Sequence, residues 1–397
     1  MRRLPLRPAS LLVAASLAAC SESATTSTAD ASSADVMAVD VAALDLGPPD
    51  VTAAPDVPPA LDDVVDAAAA TDAPVAPIVA PDRTWTWLDV AGAVCDDGTP
   101  TGMGVNLAAG ATGTLVFLAG GGYCFDYATC YTLNTATHGP YGREQFEAAQ
   151  AQLGSSIFDR TLTGNPFAGF NLVMVPYCTG DFHAGEGATT YTGNGPPRVH
   201  QHVGRRNLRA VLQRLAGGLA PQTRVVLAGG GSGGFGAVLN HDLAREAFPS
   251  GAMVVVDDSG PLLIGDAIPA SLRAAWFTSW HLGWLDAPCP GCRSDLSAIY
   301  GALAARFPGD RTALLVSLQD AVNRTAFMQS AADHEAAVRA LGASIGSLPE
   351  RRVFAVPGSS TALLRIAPSV SAPDGTGLLP WLDAMVTGAP GWTSRGL

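Results

Sequence analysis

Apolar residues gather in short runs separated by longer amphipathic stretches, and from Thr114 onward the two kinds alternate. Runs at Thr114–Leu118, Asn171–Val175, Arg224–Ala228, Ala252–Val256, Thr312–Val316 and Arg352–Val356 are rich in Val and Leu and read as buried strands. Stretches at Arg143–Leu153, Val199–Leu215, Ala237–Ala247, Asn323–Leu341 and Leu378–Val386 read as helices. Strand alternating with helix predicts an α/β fold, a mostly parallel sheet with helices on both faces. There are no internal repeats.

The first 82 residues do not follow this pattern. Arg2, Arg3 and Arg7 precede the apolar stretch Leu11–Ala19 and then Cys20, which predicts an export signal over residues 1–19. Leu17-Ala18-Ala19-Cys20 resembles a bacterial lipobox, whose cysteine is lipidated; the alternative is an ordinary secretory signal with a chance cysteine. The apolar run is too short to span a membrane as a helix. Residues 20–82 turn to Ala, Asp, Pro, Val, Ser and Thr, with twelve acids, no base and no aromatic residue. Such a segment buries too little surface to offset chain entropy and predicts a disordered, self-repelling tether. The tether accounts for nearly all of the formal net charge of −12. The remaining part, residues 83–397, is almost neutral, with no basic patch to suggest nucleic acid.

The densest chemistry lies in Arg224–Gly236, a strand followed by a turn in which Ser232 interrupts a run of glycines. Gly230-Gly231-Ser232-Gly233-Gly234 fits G-x-S-x-G, the elbow that lifts a nucleophilic serine above a sheet. A helix N-terminus beneath that serine, with the Gly233 N–H, would help hold a developing oxyanion. The same residues support a rival. Gly231-x-Gly233-x-x-Gly236 is also G-x-G-x-x-G, and Asp257 and Asp258 follow where a dinucleotide's ribose would find its acid.

Six cysteines remain besides Cys20, an even number for an oxidising compartment. Cys124 and Cys130 are close in sequence, Cys289 and Cys292 form a C-x-x-C, and Cys95 and Cys178 are left to pair over a long loop. A zinc or redox reading of the C-x-x-C is weaker, because it has no second such pair. Gly120-Gly121-Gly122 follows the first of these strands, where esterases place oxyanion-hole N–H groups. His200 and His202 are spaced by two, which does not suit one helix face, and read as structural at a helix entry.

Taken in order, G-G-G-Y-C at residues 120–124, P-Y-C-T-G-D-F-H-A-G at 176–185, H-x-G-x-x-N at 202–207, the serine elbow and Asp258-Ser259-Gly260 resemble the pectin acetylesterase/Notum family. These are extracellular serine carboxylesterases of α/β-hydrolase type, some of them bacterial lipoproteins. The resemblance runs from about Cys95 to the C-terminus. It implies Ser232 as nucleophile, oxyanion-hole N–H groups from Gly121, Gly122 and Gly233, a Cys124–Cys130 bridge, and no cofactor or metal. Asp320, in Ser317-Leu318-Gln319-Asp320 after a strand, matches the family's acid; Asp286 and Asp295 are weaker alternatives.

The pattern breaks at the base. The family's G-x-x-H-T-x-L-like loop reads Gly358-Ser359-Ser360-Thr361-Ala362-Leu363-Leu364 here, with Thr361 at the histidine's place. His334, inside a helical stretch, is too far along it to serve, and His183 is the candidate substitute. The resulting expectation is an exported protein, lipid-anchored to the outer membrane on its periplasmic or outer face. Its domain would hydrolyse acyl esters, above all acetyl esters on a glycan. The alternatives are a degenerate hydrolase that binds a glycan or other ligand and, more distantly, a dinucleotide-binding protein.

Overall fold

The computed structural model describes residues 75–397. The export signal, Cys20 and the tether up to residue 74 lie outside the described residues. Among the described residues ten strands form: β1 Thr86–Val94, β2 Pro100–Asn106, β3 Gly113–Leu118, β4 Asn171–Val175, β5 Gly187–Tyr191, β6 Arg198–His202, β7 Arg224–Gly230, β8 Ala252–Asp258, β9 Arg311–Ser317 and β10 Arg351–Val356. Eight build one sheet in the order β1-β2-β4-β3-β7-β8-β9-β10, and β5 and β6 pair separately. From β4 to β10 the neighbours are parallel, while β1–β2 and β2–β4 are antiparallel. The mostly parallel α/β sheet expected from the alternating pattern is therefore present.

Strand periodicity divides the core in two. On β7, Val225 and Leu227 point into one buried cluster, and Val226 and Ala228 into the other. The first cluster receives side chains of α2 Gly204–Gly218, α3 Ser232–Leu239, α4 His241–Ala247, α5 Ala270–Ser279, α6 Ala298–Arg306 and α8 Ala331–Gly346. The second is covered by α9 Leu378–Thr387 through Leu378, Trp381, Leu382 and Met385. Two shorter helices complete the set, α1 Arg143–Ala149 and α7 Ala321–Ala326. Among the described residues, no helix is long and apolar enough to cross a membrane.

Several elements differ from the sequence expectation. The stretch expected to be helical from Val199 begins as strand β6, and its helix starts at Gly204. Helix also begins at Ser232 rather than Ala237, because the glycines after the serine adopt helical geometry. Asn323–Leu341 is two helices, α7 and α8. The hairpin β1–β2 escapes the apolar pattern, since its glycines and alternating exposure hide a strand at the sheet edge.

The folded body also starts before residue 83. The Ile78 side chain is buried in the first cluster and its N–H donates to Gly218 O at 2.7 Å. The last residues assigned to the tether thus pack on α2. All three expected disulfides are formed: Cys95–Cys178, Cys124–Cys130 and Cys289–Cys292.

Candidate active site

Ser232 opens the first turn of α3, just past the C-terminal end of β7. The turn needs glycine at two places for different reasons. Gly231 has φ of 55°, a left-handed conformation costly for other residues, and its N–H donates to Asp258 O at 2.7 Å. At Gly233 any Cβ would run into the Leu118 carbonyl, so α3 can approach β3 only as glycine. Ser232 is 7% exposed, and its Oγ donates to Gly122 O at 2.7 Å.

That contact shows how the glycine loop after β3 meets the elbow. Gly122 O also accepts from the Tyr177 hydroxyl at 2.8 Å, and the same hydroxyl accepts from Phe182 N at 2.9 Å. Thr137 N donates to Gly121 O at 2.7 Å, pinning the loop from outside. Among the described residues, the N–H groups of Gly121, Gly122 and Gly233 find no protein acceptor. Burial holds the Tyr177 phenol well above its ordinary range, which keeps it a neutral donor. Nothing in the local sequence singles out Tyr177, although it lies inside P-Y-C-T-G-D.

Asp320 follows β9 and caps α7. Its Oδ1 accepts from Val322 N and Asn323 N, each at 2.9 Å, and from Thr361 Oγ1 at 2.7 Å. Its Oδ2 is buried without a partner. Burial raises this carboxyl to about 6 against the pull of those donors. The structure thus brings Thr361 onto Asp320. The Thr361 loop is held to the sheet by Asp258, which accepts from Leu363 N and Leu364 N, each at 2.8 Å, and by Ser259 Oγ, which accepts from Ala362 N at 3.0 Å. Ala362 Cβ lies 3.5 Å from where a Cβ on Gly230 would be, so this loop rests against the elbow.

Other candidates are used elsewhere. His183 is 3% exposed and its Nε2 bonds Ala119 O at 2.8 Å; burial lowers its pKa to about 4. The structure does not bring it into a hydrogen bond with Ser232. His334 is fully buried in α8, bonded through Nδ1 to Gln329 Oε1 at 2.7 Å. Asp286 pairs with Arg293, and Asp295 caps Ser297. Asp257 accepts from Tyr300 Oη and Gly260 N, each at 2.8 Å, and neither it nor Asp258 is exposed. Both acids at the end of β8 are consumed by the fold, which removes the ribose contact that the dinucleotide reading required. Asp181 is likewise structural: its two oxygens accept from Thr179 Oγ1 and from the N–H groups of His183, Gly185 and Gly204, knotting the loop after β4. A cleft of about 490 Å³ bounded by Arg205, Arg209, Trp284 and Arg306 is lined by none of the residues placed around Ser232.

The raised pKa of Asp320 has a measurable consequence for stability. A carboxyl that folds with its pKa above the usual 3.8 contributes stability below that value and loses it as pH rises through about 6. A rise from 3.8 to about 6 is equivalent to about 3 kcal/mol. Asp320→Asn keeps an acceptor for all three donors and cannot ionise. Relative to wild type, its unfolding free energy should improve by about 2 kcal/mol between pH 4 and pH 7.5. Any cost of burying the amide is common to both pH values. Denaturant titrations at the two pH values check this, and a difference that does not change with pH would contradict it.

The chain is similar in sequence to known proteins. A family model described as pectinacetylesterase matches residues 82–273. That span includes Ser232 and the glycine loop but ends before Asp320 and Thr361, so it is shorter than the resemblance seen in the sequence. Palmitoleoyl-protein carboxylesterase notum1a of Danio rerio is 28% identical over 172 residues, 40% of this chain and 31% of the relative. Palmitoleoyl-protein carboxylesterase NOTUM of Homo sapiens is 27% identical over 164 residues, 38% of this chain and 30% of the relative. Pectin acetylesterase 7 of Arabidopsis thaliana is 28% identical over 185 residues, 45% of this chain and 44% of the relative. The chain therefore matches less than half the length of each of these relatives.

Proposed function

Starting from membership of the pectinacetylesterase family, carried by residues 82–273, we propose that this domain binds acyl esters at Ser232 and hydrolyses them slowly for want of a base. The observation that carries the reading is the 2.7 Å hydrogen bond from Thr361 Oγ1 to Asp320 Oδ1. In a serine hydrolase the acid orients a histidine, and the histidine takes the serine's proton. Here the acid meets a hydroxyl, which is no proton acceptor at neutral pH.

The proposed chemistry uses the remaining parts. Ser232 Oγ would attack the ester carbonyl while the N–H groups of Gly121, Gly122 and Gly233 receive the oxyanion. Before attack, the serine must turn away from Gly122 O, which now holds its proton. Collapse would release the alcohol and leave acyl-Ser232, which water then hydrolyses. Without a base, both steps retain only the contributions of the oxyanion hole and of binding.

We assign the ester class as acetyl or another acyl group on a glycan, in keeping with the family. The disulfides suit an oxidising, extracytoplasmic compartment. Lipidation at Cys20, with residues 20–74 as the tether, completes the proposal. Activity-based labelling tests the central claim. A fluorophosphonate should modify wild-type protein at Ser232 only slowly, with labelling abolished in Ser232→Ala. Fast, stoichiometric labelling would mean that an activated serine is present and a base has been overlooked.

A further inference from the structure

Away from Ser232, side chains from separate loops converge on a carboxylate beside the Cys95–Cys178 bridge. Asp96 Oδ2 lies 2.5 Å from His138 Nδ1 and 3.7 Å from His200 Nδ1. The three ligand atoms all lie within 4.8 Å of one another. Tyr131 Oη is 3.1 Å from the same His200 nitrogen. We propose that Asp96, His138 and His200 are the ligands of a zinc ion, with Tyr131 or a water as the fourth donor.

The sequence pattern predicts no metal and a structural role for His200 at a helix entry. The structure places it on β6, where residues two apart share a face, so His200 and His202 stack with centroids 4.0 Å apart. His200 Nε2 lies 3.1 Å from Thr179 O, a contact that requires hydrogen on that nitrogen. Its lone pair is thereby left on Nδ1, facing Asp96. A second partner that fixes the tautomer of a ligating histidine is a recurrent feature of zinc sites. Asp96 is oriented in the same way: Gly139 N donates to Oδ1 at 2.6 Å and leaves Oδ2 for the cluster.

The backbones carrying these groups are held independently of any ion. Asp96 N donates to Cys178 O at 2.8 Å, and Gln201 N donates to Asp96 O at 2.9 Å. Asp96 adjoins Cys95, and Tyr131 adjoins Cys130, so both bridges brace the cluster. His200 is fully buried, whereas the His138 side chain is 20% exposed and offers a way in from solvent. Two imidazoles and a carboxylate suit zinc better than calcium or magnesium, which prefer oxygen. The neighbouring set Cys124, Cys130, His200 and His202 is no rival, because its two sulfurs are joined. The site would also brace the catalytic loop, since His138 follows Thr137, whose N–H holds Gly121 O at 2.7 Å.

The test uses the mature chain without an affinity tag, with zinc alone as the probe. Metal analysis after dialysis against micromolar zinc should find one equivalent bound, and zinc should raise the melting temperature of the stripped protein. His138→Gln removes the most exposed ligand, so the fold should survive, as circular dichroism of the stripped variant would verify. Its zinc affinity should fall by about 100-fold and its melting temperature should no longer respond. Asp96→Asn should behave alike, and cobalt in place of zinc should give visible ligand-field bands in wild type only. Absence of bound zinc in wild type, or equal binding by His138→Gln, would overturn the assignment.

Discussion

Replacing Thr361 by histidine should raise turnover of a simple acetyl ester by about 10³-fold over wild type, and Ser232→Ala in the same background should remove the gain. The gain stays below the full worth of a triad histidine, about 10⁶ in turnover, because the loop was not shaped around an imidazole. Three features favour it. Asp320 already meets the residue at position 361, across 2.7 Å. Its Oδ2 has no partner, so a ring N–H could be taken without displacing the cap of α7. Position 361 is fixed by the backbone of the next three residues, which Ser259 and Asp258 hold.

Kinetics of Thr361→His with and without Asp320→Ala would check the reasoning, since the acid must orient the new base. His183→Ala provides the opposing control. A fast wild type whose activity vanishes in His183→Ala would mean that the base has relocated. A Thr361→His protein as inert as wild type would mean that the loop no longer aims its side chain at Ser232.

Removing the Cys95–Cys178 bridge should cost the largest amount of stability available from a single cross-link. It closes 83 residues, and chain entropy predicts about 4.6 kcal/mol for a loop of that length. The Cys289–Cys292 bridge spans three residues, and the same reasoning assigns it about 2 kcal/mol. The long bridge ties the turn between β1 and β2 to the loop after β4, which carries Asp181 and His183. Its loss should therefore loosen a border of the candidate site, which the loss of Cys289–Cys292 should not. Urea titrations of the two double-serine variants measure the difference. Equal costs would show that the unfolded chain or strain in the native state, not loop closure, sets the contribution.

The chain by itself determined the six parallel strands, because each is a short apolar run whose burial on two faces leaves no other reading. It also determined the serine elbow, since a run of glycines between a strand and a helix has a steric purpose. Three disulfides could be paired because Cys124 and Cys130, and Cys289 and Cys292, lie close in sequence and leave only Cys95 and Cys178. A threonine at position 361, in a frame that resembles the family's histidine loop, was visible there too.

Tertiary structure alone decided what the buried polar groups do. Asp257 and Asp258 stand in sequence where a ribose acid would stand, yet one binds Tyr300 and the other carries the loop holding Thr361. Asp181 and Tyr177 have no local periodicity to announce them, and besides partners in their own loop each reaches another segment, at Gly204 N and Gly122 O. His200 looks like part of a helix in the sequence, but β5 pairs with its strand and turns it toward Asp96, more than a hundred residues earlier. Apolar patterning is written locally, because each residue's burial depends on the face it occupies within its own element. A hydrogen bond or a metal ligand depends on two or more elements meeting, and that meeting is a property of the packed chain.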